Sequence, residues 1–303
     1  MSSNILKKSA INFHFTRVCN YECKFCFHTK KTSYMLPLEN QKLLIKILKE
    51  EGAEKINFAG GEPFLYPETL GQLVKYSKEI GFNSTSIISN GSKIKRDFFE
   101  KYSKWLDILG ISCDSINPII NFEHGRKVCG SVKSRDETKK IREISEFCNR
   151  YEVFFKINTV VTKKNKDENL SHFINELNPM RWKIFQVLDI DGENYDTNSG
   201  ENFIKDLLIK QEEFENYIKI NKEGLYNKES MVIEDNEKMR ASYILIDEYG
   251  RFLNTSFGMK IPTKSILDVG VESALEELLQ SNGIGFDKKI EDRLRRNENK
   301  LNI

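Results

Sequence analysis

The chain has 303 residues, of which 39% are hydrophobic and 30% are charged. This composition is enough to bury a sizeable core beneath a charged surface, and the length suits a single α/β barrel. The formal net charge of +2 is too close to neutrality for a general nucleic-acid-binding protein, whose surface would carry a clear excess of Lys and Arg.

Strand-like and helix-like segments alternate along the first two-thirds of the chain. Strands are predicted at 11–16, 55–60, 84–90, 107–113, 152–161 and 182–190, and helices near 37–51, 68–81, 94–103, 136–150 and 168–177. In the first helix Leu44, Ile47 and Leu48 recur at helical spacing, and Gly52 ends the pattern. The alternation predicts βαβ units in a parallel sheet, and six units would form a partial (βα)6 TIM-like barrel.

The alternation of predicted strands and helices stops after Gly192, where the chain becomes polar and loop-like. A helix is predicted near 201–221, a hairpin over 242–256 with its turn at Tyr249 and Gly250, and another helix over 265–280. A charged tail follows. The sequence therefore predicts a barrel over residues 1–191 and a C-terminal extension over 192–303, joined in one structural unit.

Three cysteines follow the first predicted strand at C-x₃-C-x₂-C spacing, namely Cys19, Cys23 and Cys26. Thiolates are the usual ligands of [4Fe–4S] clusters, which normally take four, so three ligands leave one iron open. The alternatives are a structural zinc site and three incidental thiols. Zinc motifs normally include a second cysteine pair, whereas the other three cysteines are isolated. A thiolate-held cluster requires a reducing compartment, which predicts a cytoplasmic protein.

Gly60, Gly61 and Glu62 come directly after the second predicted strand, followed by Pro63. Two glycines allow the backbone to approach a ligand closely, and a glutamate there can accept hydrogen bonds. The alternative is an ordinary turn. Because functional residues of a barrel gather at the carboxyl ends of its strands, this loop is expected beside the three cysteines.

Four cations lie in or beside the second, fifth and sixth predicted strands: Lys55, Lys156, Arg181 and Lys183. Burying such charges is unfavourable unless an anion pairs with them, and a triphosphate is a suitable partner. The alternative is that each cation points outward into solvent. Asn57 and Asn158 stand two positions after Lys55 and Lys156, so they share the same strand faces.

The combination of C-x₃-C-x₂-C with GGEP resembles the radical S-adenosylmethionine (SAM) enzymes. In those enzymes the open iron binds SAM, and a 5′-deoxyadenosyl radical abstracts hydrogen from the substrate. Longer stretches, including NFHFTRVCNYECKFCFHTKKTS, KINFAGGEPFL and SYILIDEYGRFLN, closely resemble the viperin family from about Ile11 to Ala274. Members of that family convert a nucleoside triphosphate, CTP in animals and CTP, UTP or GTP in microbes, to a 3′-deoxy-3′,4′-didehydro analogue. That product terminates viral RNA chains.

The resemblance also implies roles for individual residues. Cys19, Cys23 and Cys26 would hold the [4Fe–4S] cluster, and SAM would be bound by Phe25, Gly60, Gly61, Glu62, Asn90, Ser112 and Arg126. The triphosphate would be bound by Lys55, Lys156, Arg181 and Lys183, with Asn57 and Asn158 as further contacts and Asn12 near the nucleobase. Tyr243 would donate a proton to the departing 3′-hydroxyl after the 4′ hydrogen is abstracted. Its alternative role is that of a buried structural tyrosine.

Several expectations about partners follow from the resemblance. The chain would receive electrons from a flavodoxin or ferredoxin and its cluster from the cluster-assembly machinery. We expect a monomer that binds neither nucleic acid nor membrane, since about ten residues before the first strand are too few for the amphipathic anchor of animal relatives. The charged tail is expected to order over the bound nucleotide. A different radical SAM enzyme and a non-catalytic nucleotide-binding protein are the other hypotheses.

Overall fold

The computed structural model describes residues 6–7, 9–196, 198–200, 203–239 and 243–281. The expectation that the charged tail orders over nucleotide falls on 282–303, outside the described residues. The strands in chain order are β1 (Ala10–His14), β2 (Lys55–Ala59), β3 (Ser84–Ser89), β4 (Ile108–Ser112), β5 (Phe154–Val161), β6 (Arg181–Gln186), β7 (Met231–Glu234), β8 (Ile244–Ile246), β9 (Arg251–Asn254) and β10 (Ile261–Ser265).

Helices connect many of these strands. They are α1 (Leu38–Glu50), α2 (Pro67–Glu79), α3 (Arg96–Tyr102), α4 (Pro118–Glu123), α5 (Thr138–Arg150), α6 (Ser171–Leu177), α7 (Gln211–Glu223), α8 (Asn236–Met239) and α9 (Ile266–Ser281). Helix α9 is interrupted near its start by Gly270, whose φ is 80°. Short 3₁₀ turns lie at Pro63–Leu65, Ser103–Trp105 and Lys228–Ser230.

All ten strands belong to one sheet, in the order β10-β9-β8-β1-β2-β3-β4-β5-β6-β7. The strands from β1 to β7 pair in parallel, β8 adds in parallel to the outer edge of β1, and β9 and β10 are antiparallel. The predicted parallel α/β barrel is confirmed. Strands from both sides of residue 191 join the same sheet, because β7 and β8 extend it at opposite ends of the first six strands.

The two faces of the sheet differ in chemistry. The face toward the helices carries apolar side chains that are almost fully buried, including Phe13 on β1, Phe58 on β2 and Trp182 on β6. The opposite face is polar, with half-buried Asn12, Asn57 and other side chains. A closed (βα)₈ barrel fills this interior with layers of branched apolar residues. Here the inner face is instead available to a polar ligand.

Before residue 191 every predicted strand and helix is present, but α4 was not predicted. The differences are larger after residue 191. The hairpin turning at Tyr249 and Gly250 is present as β8 and β9, with Gly250 at φ 75°. The helix predicted near 201–221 begins only at Gln211. Residues 203–207 form turns, in which Ile204 and Leu207 pack with Val187 in a cluster that Phe25 contacts. Strands β7 and β10 were not predicted.

Candidate active site

The three cysteines lie in an irregular loop between β1 and α1, at the carboxyl end of the sheet. The Cys26 amide donates to the Cys23 carbonyl at 3.1 Å, which draws the second half of the triplet into one turn. The amides of Tyr21 and His28 donate to the sulfurs of Cys19 and Cys26, each at 3.4 Å. Backbone N–H groups directed at cysteine sulfurs are one of the means by which proteins tune iron–sulfur clusters.

Burial raises the pKa of all three thiols, that of Cys19 to about 12. At neutral pH each thiol therefore loses its proton only when a metal ion binds to the sulfur in its place. Within the described ranges, no group of three or more His, Cys, Asp or Glu side chains surrounds a single ion. A [4Fe–4S] cubane presents a different iron to each thiolate, so Cys19, Cys23 and Cys26 would not need to converge on one ion to hold it.

The two glycines of GGEP are explained by contact with the cysteine loop. A Cβ on Gly60 would lie 2.4 Å from the Thr16 carbonyl oxygen, and one on Gly61 would lie 2.2 Å from that of Val18. The Gly61 and Glu62 amides donate to those same two carbonyls, at 2.7 and 2.8 Å. The glycines therefore allow the β2 loop to hydrogen-bond directly to the chain that leads into Cys19.

Glu62 is fully buried and organises the next strand end. Its carboxylate accepts hydrogen bonds from the Phe64 amide, the Ser89 hydroxyl and the Asn90 amide, at 2.7–3.0 Å. Burial raises its pKa, while these three donors favour the ionised form. The Asn90 side chain in turn donates to Asn20 in the cysteine loop at 3.0 Å. The carboxyl ends of β2 and β3 are thus fixed against the residues between Cys19 and Cys23.

Arg126 is buried and held by protein groups on several sides. Its guanidinium donates to Glu137 at 2.9 Å, to Asp114 at 3.1 Å and to the Ser112 carbonyl at 2.6 Å. A longer bond of 3.4 Å reaches the Asn90 carbonyl. Arg126, Ser112 and Asn90, all predicted to contact SAM, therefore lie together at the ends of β3 and β4.

Phe25 lies between two of the cysteines and is half-buried. Its ring meets His124 edge-to-face, with centroids 5.4 Å apart, and packs against Val187, Ile204 and Leu207. Burial lowers the pKa of His124 to about 4, and its Nε2 lies 2.7 Å from the Thr162 hydroxyl. The loop that carries the cysteines is therefore also packed against the chain that follows β6.

The predicted nucleotide-binding cations share the inner face of the sheet. Lys156 on β5 pairs in register with Gly110 on β4 and with Arg181 on β6. Its Cε lies 3.6 Å from the point where a Cβ on Gly110 would stand, which is an ordinary van der Waals distance. Lys55 precedes Asn57 by two positions on β2, and the Asn57 amide donates to Asn12 at 2.7 Å. The structure therefore brings the predicted residues of β1, β2, β5 and β6 to one face.

Lys183 is the most buried of these cations. Its ammonium forms an ion pair with Glu234 on β7 at 2.8 Å and lies 3.3 Å from the Tyr243 hydroxyl. In the strand register, Lys183 on β6 lies opposite Asn158 on β5, and Asn158 lies opposite Ser112 on β4. Asn158 Oδ1 is among the buried oxygens of the described chain that lack a hydrogen-bond partner. Glu234 was not predicted, because nothing near it in sequence marks it as a partner of Lys183.

A further group of charged residues was also missed by the sequence analysis. The side chains of Arg17, Glu193, Glu248 and Lys260 are all buried beside the cysteine loop. Arg17 donates to Glu193 at 3.0 Å and to Glu248 at 2.9 Å, while Lys260 lies 3.5 Å from Glu193. Burial lowers the pKa of Lys260 to about 8, although Glu193 opposes this shift. Arg17 stands two residues before Cys19, but its partners follow more than 170 residues later.

Comparison with known proteins agrees with this geometry. The sequence profile of the Radical SAM superfamily matches residues 13–177. The solved structure of native anSMEcpe with bound AdoMet aligns with a TM-score of 0.65 over 88% of this chain and 80% of its own, at 17% identity. Streptococcus suis SuiB bound to S-adenosylmethionine aligns with a TM-score of 0.60 over 80% of this chain and 59% of its own, also at 17% identity. The chain is a member of the Radical SAM superfamily.

Curated relatives narrow the class further. S-adenosylmethionine-dependent nucleotide dehydratase RSAD2 of Oncorhynchus mykiss is 46% identical over 93% of this chain and 78% of its own length. A bacterial S-adenosylmethionine-dependent nucleotide dehydratase, from Flammeovirga pacifica, is 35% identical over 93% of both chains. The chain belongs to this family of S-adenosylmethionine-dependent nucleotide dehydratases, which confirms the resemblance to the viperins.

The cofactors of this enzyme are a [4Fe–4S] cluster and SAM, as its superfamily requires, and Cys19, Cys23 and Cys26 fit the cluster. Three cysteine ligands leave one iron of the cluster for SAM. None of the helices in the described part of the chain is long and apolar enough to cross a membrane.

Proposed function

We propose that this enzyme dehydrates a nucleoside triphosphate, with CTP as the preferred substrate, to its 3′-deoxy-3′,4′-didehydro analogue, an antiviral terminator of RNA chains. The proposal rests on family membership together with one observation, the cation-bearing inner face of the sheet. Lys55, Lys156 and Arg181 are half-buried there, beside the buried Lys183. A triphosphate carries charge of the opposite sign and enough oxygens to contact all four.

The chemistry of hydrogen abstraction is supplied by the cofactors, which yield a 5′-deoxyadenosyl radical when bound. We assign two tasks to the protein itself. It positions C4′ of the ribose, and it delivers a proton to the 3′-hydroxyl. Tyr243 is the proposed proton donor, so that the hydroxyl leaves as water once the 4′ hydrogen is gone. The Lys183 ammonium, 3.3 Å from the Tyr243 oxygen, would stabilise the phenolate that remains. One electron then completes the didehydro product.

Further contacts are assigned to the polar residues of the same face. Asn158 Oδ1, buried without a hydrogen-bond partner, is suited to accept from a ribose hydroxyl. Asn12 is proposed near the nucleobase. Its Oδ1 accepts from Asn57, and the Ser86 hydroxyl donates to Asn57 Oδ1 at 2.9 Å, so the Asn12 amide is held by a chain of hydrogen bonds. The remaining contacts to SAM are those proposed for Phe25, Gly60, Gly61, Glu62, Asn90, Ser112 and Arg126.

CTP is placed first among the nucleotides because the chain is more similar to its animal relatives than to its bacterial ones. Identity to the Oncorhynchus mykiss protein is 46%, against 35% and 30% for the proteins of Flammeovirga pacifica and Pseudoalteromonas ulvae. We also propose that a flavodoxin or ferredoxin supplies the electrons, that the cluster-assembly machinery delivers the cluster, and that the enzyme acts as a monomer.

The direct test is anaerobic reconstitution with iron and sulfide, followed by incubation with SAM, dithionite and each of the four ribonucleoside triphosphates. Mass spectrometry should find 5′-deoxyadenosine and a nucleotide lighter by one water, with CTP giving the highest rate. Tyr243→Phe should still form 5′-deoxyadenosine but release much less didehydro product. A variant with all three cysteines replaced by Ala serves as the control for cluster-dependent chemistry.

Other outcomes of the same experiment separate the remaining hypotheses. If only UTP or GTP gave a product, the proposed reaction would stand and the preferred nucleobase would be a different one. Formation of 5′-deoxyadenosine with no product from any of the four nucleotides would mean a different radical SAM reaction. A reconstituted protein holding less than about one iron per chain would favour a non-catalytic nucleotide-binding protein.

A further inference from the structure

Four charged side chains form a compact group behind the cysteine loop, and we refer to them as the buried ion quartet: Arg17, Glu193, Glu248 and Lys260. Their side chains are 9%, 1%, 2% and 4% exposed. They come from four separate segments, after β1, after β6, after β8 and between β9 and β10. Two positive and two negative groups therefore meet in a place almost without solvent.

The quartet contacts both ends of the loop that carries the cluster ligands. Arg17 precedes Cys19 by two residues, and its guanidinium donates to the Thr29 carbonyl at 3.0 Å. Glu193 accepts from the Thr29 amide at 2.8 Å and from the Thr29 hydroxyl at 2.7 Å. The entry and the exit of the loop are thus tied to the same carboxylate.

Lys260 faces the residues that directly follow Cys26. Its ammonium lies 2.9 Å from His28 Nδ1 and 4.7 Å from the centroid of the Phe27 ring. The His28 amide donates to the Cys26 sulfur at 3.4 Å. The buried ammonium of Lys260 therefore contacts His28, which in turn hydrogen-bonds to the cluster ligand Cys26.

We propose that the buried ion quartet is a positioning unit for the [4Fe–4S] cluster that also sets its reduction potential, with Lys260 favouring the reduced cluster and Glu193 opposing it. Reduction adds one negative charge to the cluster. In a poorly solvated site a fixed cation nearby stabilises that charge, and a fixed anion destabilises it. Neutralising one member of the quartet changes the charge beside the cluster by a full unit.

Mechanical bracing alone does not account for ionic groups in this place. Buried ion pairs contribute little stability compared with apolar side chains of similar volume, so an apolar cluster would hold the loop at least as well. Charges are of use where the charge of a neighbour changes during the reaction. Groups beyond the direct ligands are a known means of tuning metal centres.

The test is a redox titration of the reconstituted enzyme, followed by electron paramagnetic resonance of the reduced cluster. At a fixed potential, Lys260→Met should lower the reduced-to-oxidised ratio about tenfold, which equals a shift of about 59 mV to more negative potential for a one-electron couple. Glu193→Gln should shift the potential in the opposite direction by a similar amount. The double variant should return close to the wild type, and Lys101→Met, at an exposed helix position, should not shift it.

Opposite signs are the decisive result, because a purely structural defect has no reason to raise the potential in one variant and lower it in the other. Shifts of the same sign, or shifts no larger than that of Lys101→Met, would overturn the proposal. Iron content and thermal unfolding are measured on every variant. Should Lys260→Met lose its cluster, Glu193→Gln decides alone: a positive shift supports the proposal, and a zero or negative shift refutes it.

Discussion

At the cofactor end of the barrel, Arg126 is only 5% exposed and contacts two carboxylates and two backbone carbonyls. On the inner face, Lys55 on β2 is half-buried, and so are Lys156 and Arg181 on the neighbouring strands β5 and β6. The first region is built from buried networks and close backbone approaches, as at Gly61. The second is built from side chains that regular parallel strands carry on one face. We therefore expect substitutions at the cofactor end to destabilise the fold. Substitutions of the half-buried cations on the inner face should instead weaken nucleotide binding and leave the fold intact.

The largest effect is expected for Arg126→Met. Removing the guanidinium leaves the buried Asp114 and the partly buried Glu137 without their cation, which costs about 3–5 kcal/mol in the free energy of unfolding. Chemical denaturation of the apoprotein at pH 7 measures this loss. A loss below about 1 kcal/mol would show that the cofactor end does not depend on this network.

Acidification gives the same prediction a second readout. Burial raises the pKa of Asp114 above its unfolded value, so between those two values the folded state binds more protons than the unfolded state. Stability from this group therefore increases as the pH falls through its folded pKa. Without Arg126 that pKa should rise further, so the deficit of Arg126→Met should be smaller at pH 5 than at pH 7. An equal deficit at both pH values would contradict the assignment.

The next effect is expected for Gly61→Ala. Its Cβ would stand 2.2 Å from the Val18 carbonyl oxygen and 2.5 Å from the Val18 carbonyl carbon, and backbone cannot move aside as a side chain can. We expect a loss of about 3 kcal/mol together with reduced iron per chain after reconstitution.

Gly200→Ala is the matched control for that variant. No atom of the described residues lies within 4 Å of the point where a Cβ on Gly200 would stand, and its φ of 71° opposes the substitution at a cost of about 1 kcal/mol. Denaturation midpoints and iron content are compared for the two variants. Equal losses would mean that the contact between GGEP and the cysteine loop is not important for either property.

Lys156→Met should leave the fold intact, with a change in stability below about 1 kcal/mol. Losing one hydrogen-bonded charge partner should weaken CTP binding about 10- to 100-fold by calorimetry, given about 1.5–3 kcal/mol for a charged hydrogen bond. Lys101→Met, whose ammonium pairs with Glu68 at an exposed site, is the control and should not change the affinity. If cytidine binding falls as far as CTP binding, Lys156 does not contact the triphosphate.

The two regions also differed in how far the sequence could predict them. The cofactor end is marked by a short motif, since Cys19, Cys23 and Cys26 fall within eight residues, and GGEP follows the next strand. Cations on the inner face were recognisable because charge is unusual in a strand of a parallel sheet. Period-two alternation then placed Asn57 and Asn158 on the faces of Lys55 and Lys156.

The partners of these residues could not be predicted in the same way. Glu234, Glu193 and Lys260 lie in the region after 191, where neither periodicity nor motif distinguishes a buried charge from a solvated one. Their roles arise from strand order, because β7 and β8 join opposite ends of the first six strands. The helix predicted to begin near 201 failed for a related reason, since Ile204 and Leu207 are used to pack against Phe25.

The long sequence separations within the buried ion quartet have a consequence for biosynthesis. Arg17 is separated from Glu193 by 176 residues and from Glu248 by 231, so neither partner exists while the first strands emerge from the ribosome. Domains begin to fold during synthesis, from the N-terminus onward. The cysteine loop is therefore made early but gains its last anchors, Glu248 and Lys260, only after most of the chain has been translated. A chain truncated before β8 would keep the contacts that GGEP, Asn90 and Glu193 make with this loop but would lack Glu248 and Lys260.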